Sequence, residues 1–177
     1  NLFLSKKINL GLDLQGGSYL LLEVDSIPLI NQRLQQKVIK LRNYFKKNNI
    51  KYQKLSLSNE KINFIINDND IEKFEEYFLN KDNNINYYYN QYRSYEMELS
   101  IESNSMYIKY SKFGLIEINN SAVDKSLEIV RRRIDEVGTK EPTIVRRGND
   151  RILIELPGLD DPDRIKKLLG KTANLTF

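Results

Sequence analysis

Apolar and polar positions follow two rhythms along this chain. SYLLLEV (18–24) is a short apolar run between a glycine pair and DSIP, and it predicts a buried strand. Pro28 then suits the first turn of a helix. Ile30, Leu34, Val38, Leu41 and Phe45 recur at helical spacing to about residue 47. KYQKLSLS (51–58) and KINFIIN (61–67) read as two strands joined by Asn59 and Glu60 in a hairpin. Asn69 with Glu72 has the form of a capping box and opens a helix carrying Ile71, Phe74 and Phe78. NINYYYNQY (84–92) has strand propensity, YEMELSIE (95–102) and MYIKY (106–110) alternate as strands, and LIEIN (115–119) reads as another extended piece.

From residue 121 the pattern sharpens. Ser121 with Asp124 predicts a helix start, and Val123, Leu127, Val130, Ile134 and Val137 form one apolar stripe that Gly138 ends. TIVRR (143–147) is a strand, GND a tight turn, and RILIEL (151–156) a strand with Ile152, Ile154 and Leu156 on one face. Asp161 and Pro162 begin a helix that buries Ile165, Leu168 and Leu169 and closes at Gly170, before a final strand at 173–177. With 27–119 set aside, the order is β-α-β-β-α-β, the ferredoxin-like order. The expected class is α+β. Residues 1–26 and 120–177 form a ferredoxin-like base, and 27–119 form a second small α+β unit inserted after the first strand.

Composition changes this picture mainly by exclusion. A chain of 177 residues suffices for one medium domain or two small ones. It has no cysteine, which removes disulfides, thiolate nucleophiles and Cys-type zinc sites. It has no histidine, which removes the commonest general base and metal ligand. Carboxylates, lysines and tyrosines leave enzyme chemistry open. The net charge of +4 permits acidic partners without demanding them. No apolar run approaches the ~20 residues of a spanning helix. The first residue is Asn1 and the last, Phe177, falls inside a strand-like run, so the chain is expected to be an excerpt cut on its C-terminal side.

Three stretches invite chemistry. GLDLQGGS (11–18) has P-loop spacing, but Gly17 stands where the lysine belongs and a strand follows where a P-loop needs a helix. A turn or bulge at Gly16–Gly17 is the better reading. RRRIDE (131–136) is basic, and ferredoxin-like sheets include RNA binders. Asp124, Glu128, Asp135 and Glu136 interleave with these arginines, however, and Glu128 pairs with Arg132 at helical spacing. An RNA-binding ferredoxin-like module is kept as the alternative. The tyrosine run suits an interface, although strand propensity explains it as well. LDDPD (159–163) fits helix capping better than cation binding.

LGLDLQGGSYLLLEVD (10–25) resembles the start of the extracytoplasmic loop of SecD, the accessory subunit of the bacterial Sec translocase. The stretch from Arg131 to Phe177 resembles the second conserved part of the same loop. Residues 27–119 match no motif. The resemblance implies the first periplasmic domain, P1, of a multi-spanning inner-membrane protein that works with SecF at the Sec translocon. It implies a ferredoxin-like base, and a P1 domain that continues past 172–177 toward a mobile head. It implies a membrane-tethered, non-catalytic segment on the periplasmic side, without a cofactor, metal or nucleic acid. In the family, this domain contacts the unfolded preprotein during export driven by the proton-motive force, and the proton-carrying residues lie in transmembrane helices that this chain does not contain. The motif positions that carry over are Gly11, Asp13, Gln15, Gly16, Gly17, Arg133, Gly138, Glu141, Pro142, Arg151, Pro157 and Gly158. Their expected work is structural: turns at the glycines and prolines, and pairing or capping by Asp13, Glu141 and the arginines.

Overall fold

A computed structural model describes residues 4–5, 17–103, 105–136, 142–157 and 169. In chain order the elements are β1 (Leu4–Ser5), β2 (Gly17–Val24), α1 (Ile27–Lys47), β3 (Tyr52–Ser58), β4 (Lys61–Ile66), α2 (Asp68–Phe78), β5 (Tyr88–Tyr89), β6 (Ser94–Tyr95), β7 (Met97–Glu102), β8 (Ser105–Tyr110), α3 (Lys112–Asp135), β9 (Thr143–Arg147) and β10 (Arg151–Pro157). All sheet pairs are antiparallel, and the class is α+β. The chain divides into two compact units, Asn1–Leu29 with Ile118–Phe177, and Ile30–Glu117.

The first unit holds a sheet in the order β1-β2-β10-β9. Alternation buries Leu20, Leu22 and Val24 on β2, Ile152, Ile154 and Leu156 on β10, and Ile144 on β9. Register puts Leu20 beside Ile154 and Leu22 beside Ile152, so these side chains share one apolar face. Ile118, Ala122, Ser126, Val130 and Ile134 of α3 are buried at four-residue intervals and complete the unit's core. The order β2-β10-β9, with α3 between β2 and β9 in sequence, is a split β-α-β arrangement. The expected helix at 162–169 and strand at 173–177 lie outside the described residues, Leu169 excepted. So do Val137 and the expected cap at Gly138.

The second unit holds the sheet β3-β4-β8-β7. Asn59 and Glu60 both take positive φ, 50° and 58°, as a two-residue hairpin turn requires. Its core draws Leu34, Leu41 and Phe45 from α1, Ile62, Phe64 and Ile66 from β4, and Phe74 and Phe78 from α2. Phe45, Phe64 and Phe74 form an aromatic triangle with ring centroids 5.3, 5.4 and 5.6 Å apart.

Four expectations need correction. LIEIN (115–119) is helical, because α3 starts at Lys112 and its buried stripe begins before Ser121. The start of α3 is set by Ser111, whose Oγ accepts the Gly114 N–H at 3.0 Å; Ser121 lies within the helix. The second helix starts after Asn67, so Asn69 lies in its first turn, where Asp68 and Asp70 complement the helix dipole. NINYYYNQY is mostly bends and turns, and only Tyr88 and Tyr89 enter a ladder.

Candidate functional site

In the first unit the two motif stretches become neighbouring strands. β2 and β10 pair from Arg151 opposite Glu23 to Pro157 opposite Gly17. Proline, which has no N–H to give a ladder, thus sits at the strand's last rung. Gly17 opens a strand, so no helix N-terminus follows the glycines to hold phosphate. Arg151 stands between Glu23 and Arg147 in the ladder, and its Nε is 3.7 Å from the Asp150 carboxylate. Arg133 donates to Glu136 at 3.0 Å one turn on, while its Nε is buried without a hydrogen-bond partner among the described residues. Pro142 is half-buried just before β9. Gly11, Asp13, Gln15, Gly16, Gly138, Glu141 and Gly158 lie outside the described residues. Beside the β2–β10 end, a cavity of about 320 Å³ is lined by Glu23, Asp25, Asp150, Asn119 and Val123 among others.

The second unit gathers its polar chemistry at the start of β7. Lys37 of α1 donates to Glu96 and to the Ile85 carbonyl, and the ion pair is nine-tenths buried on the glutamate side. Burial pulls the Lys37 ammonium below its ordinary range, and the Glu96 carboxylate opposes that. Burial, assisted by Glu96, pushes the Tyr89 hydroxyl up to about 12 and the Tyr110 hydroxyl up as well. The Tyr110 hydroxyl is buried with no partner among the described residues. Asn86, fully buried, donates to the Phe78 and Met97 carbonyls at 3.2 Å and accepts the Met97 N–H at 2.8 Å.

Around this cluster the tyrosines form the surface. Tyr88 meets Tyr95 across the β5–β6 ladder, with centroids 4.9 Å apart, and Lys81 lies over the Tyr88 ring. Tyr92 stacks on Phe113 at 4.6 Å and donates to Glu117 at 2.7 Å. Tyr87 is 60% exposed. A groove of about 590 Å³ runs past the stacked Tyr44 and Tyr77, edged by Lys40, Lys47 and Lys73.

These groups build surfaces more readily than a reaction centre. The perturbed tyrosines hold their protons at neutral pH, and the perturbed lysine is tied to a carboxylate. Among the described residues, no three acidic side chains converge as metal ligands, and no helix is long and apolar enough to cross a membrane. The RNA alternative needs base-stacking aromatics on the sheet. The described strands of the first unit's sheet carry one aromatic residue, Tyr19.

Residues 2–26 match the family model of the SecD/SecF GG motif, and residues 123–177 match that of the SecDF protein translocase subunit P1 domain, N-terminal part. Protein translocase subunit SecD of Rickettsia typhi is 36% identical over 170 residues, which is 96% of this chain and 31% of that protein. The Acetobacter pasteurianus subunit is 36% identical over 97% of this chain and 32% of its own length. The Pseudomonas aeruginosa subunit is 31% identical over 96% of this chain and 26% of its own length. These alignments run through the middle of the chain, where no motif was legible. The chain spans about a third or less of the curated relatives it matches, and no solved structure matches it. Two motif stretches on adjoining strands, and alignment along nearly the whole chain, make one conclusion: this chain belongs to the SecD family.

Proposed function

We propose that this chain is the extracytoplasmic P1-type domain of a SecD subunit, and that it assists protein export as a non-catalytic contact surface. The observation that carries this reading is the alignment of protein translocase subunits over 96% of the chain. In the proposal, residues 1–26 and 120–177 form a base on the periplasmic side of a bacterial inner membrane. Residues 27–119 are inserted into it. The full-length protein is membrane-tethered, works with SecF at the Sec channel, and meets the unfolded preprotein as it emerges. The proton-motive force acts through parts of the protein outside this chain. Gly17, Pro157 and Arg151 shape the base and take no part in chemistry, as do Gly11, Asp13, Gln15, Gly16, Arg133, Gly138, Glu141, Pro142 and Gly158.

Contact with a preprotein must tolerate any sequence, so it should rest on backbone pairing and broad apolar or aromatic patches. A SecD-depleted bacterium carrying the full-length protein tests the reading. Deleting 30–117 should slow export, and photoreactive residues in the domain should crosslink to an arrested preprotein. Normal export with the deletion, and no crosslink from any position in the domain, would overturn it.

A further inference from the structure

The second unit's sheet has one closed edge and one open edge. The β3 edge is interrupted by a register shift between Gln53 and Ser56, where Lys54 takes a φ of 52°. A bulge and a lysine are devices that keep other strands off an edge. The β7 edge has neither. It pairs with β8 in six consecutive rungs, from Met97 opposite Tyr110 to Glu102 opposite Ser105, with no shift in register.

The outward polarity of β7 follows from Asn86. The Met97 N–H donates to Asn86 Oδ1 and the Met97 carbonyl accepts from Asn86 Nδ2, so both Met97 groups face away from β8. The side-chain amide of Asn86 imitates one peptide unit of a fifth strand. In an antiparallel ladder every second residue shares that orientation. Leu99 and Ile101 therefore also aim N–H and C=O outward, and among the described residues β8 is the only strand paired with β7. Both residues are half-buried, while Glu98, Ser100 and Glu102 are exposed on the other face.

We propose that the β7 edge accepts an extended segment of unfolded polypeptide as a fifth strand, continuing from the rung that Asn86 fills. Leu99 and Ile101 supply the backbone donors and acceptors, and Glu102 favours lysine or arginine on the added strand, whereas Glu98 is already paired with Lys109 of β8 at 3.3 Å. This rests on the reading that the domain meets an unfolded chain. Two rungs give a contact that forms and releases easily, and a backbone ladder is indifferent to most side chains.

The test uses the full-length protein with an export-arrested preprotein. A photoreactive residue at Ser100 should crosslink to the preprotein, and one at Tyr52 on the closed edge should not. Ile101→Pro removes one outward donor at a place where an edge strand tolerates proline, and should lower the Ser100 yield roughly tenfold. Hydrogen exchange on the unsubstituted protein gives a readout independent of that variant's folding: the Leu99 and Ile101 amides should exchange fast at rest and become protected when the preprotein is engaged. Crosslinks from Tyr87 but none from Ser100, or no gain in amide protection, would overturn this site and leave the proposed function standing. An absence of crosslinks from every position in the domain would overturn both.

Discussion

Gly114 occupies the first turn of α3, where helix propensity alone favours alanine by about 1 kcal/mol. A Cβ there would run into the Glu96 carbonyl oxygen and lie 3.1 Å from Tyr110 Cδ1. The carbonyl cannot yield easily, because it also accepts the Ser111 N–H at 2.9 Å. We expect Gly114→Ala to destabilise by about 1–3 kcal/mol, read from the urea midpoint. Tyr110 works in the opposite sense. Its buried hydroxyl has no partner among the described residues, so Tyr110→Phe should leave stability equal or raise it by about 1 kcal/mol. The same residues set the alkaline limit. Tyr44, Tyr77, Tyr89 and Tyr110 have raised folded-state values, so their contribution is whole below pH 10.0 and is lost as pH rises, through about 12 for Tyr89. Lys37 has the opposite sign: its folded value is lowered, so stability rises with pH in the interval below 10.5. Denaturation midpoints between about pH 9 and 12 should therefore fall steeply above 10, and less so in Tyr110→Phe.

At the scale of elements, the polar side chain that most shapes the second sheet is Asn86. Its three hydrogen bonds tie the end of α2 to the start of β7. Asn86→Ala should cost about 2 kcal/mol or more by orphaning buried backbone groups, and the Met97 amide should lose its exchange protection. No sequence pattern marks this residue, since its partners lie eight and eleven residues away. The strands and helices with strong periodicity were legible: β2, α1, the β3–β4 hairpin, β9 and β10 lie where alternation or helical spacing puts them. The start of α3 was not. LIEI has strong strand propensity, and the small buried residues Ala122 and Ser126 hide the stripe that Ile118, Val130 and Ile134 belong to. Helical packing won over local preference there. The tyrosine run failed as a strand because its backbone bonds go to turns, Tyr92 N–H to the Tyr89 carbonyl and Arg93 N–H to that of Asn90.

For the molecule as a whole, each unit carries its own apolar core. Phe74→Ala should cost about 3–5 kcal/mol in the Ile30–Glu117 unit. Amide protection should fall on β4 and β8 well before it falls on β2 and β10; an equal loss in both sheets would contradict this. The candidate site was legible in part: the paired motif stretches announced a family, but only the register revealed that they adjoin. The open β7 edge depends on hydrogen-bond direction, which no residue type encodes. The rung between Gly17 and Pro157 also has a meaning in time. A chain made from its N-terminus finishes β2 early, but β10, which pairs with it along the longer ladder, only after the whole second unit has been made. Its hairpins β3–β4 and β7–β8 close short loops, whereas β2 with β10 closes a loop around all of them. β2 thus spends the start of its existence without β10, and the Ile30–Glu117 unit has time to fold before the other unit is complete.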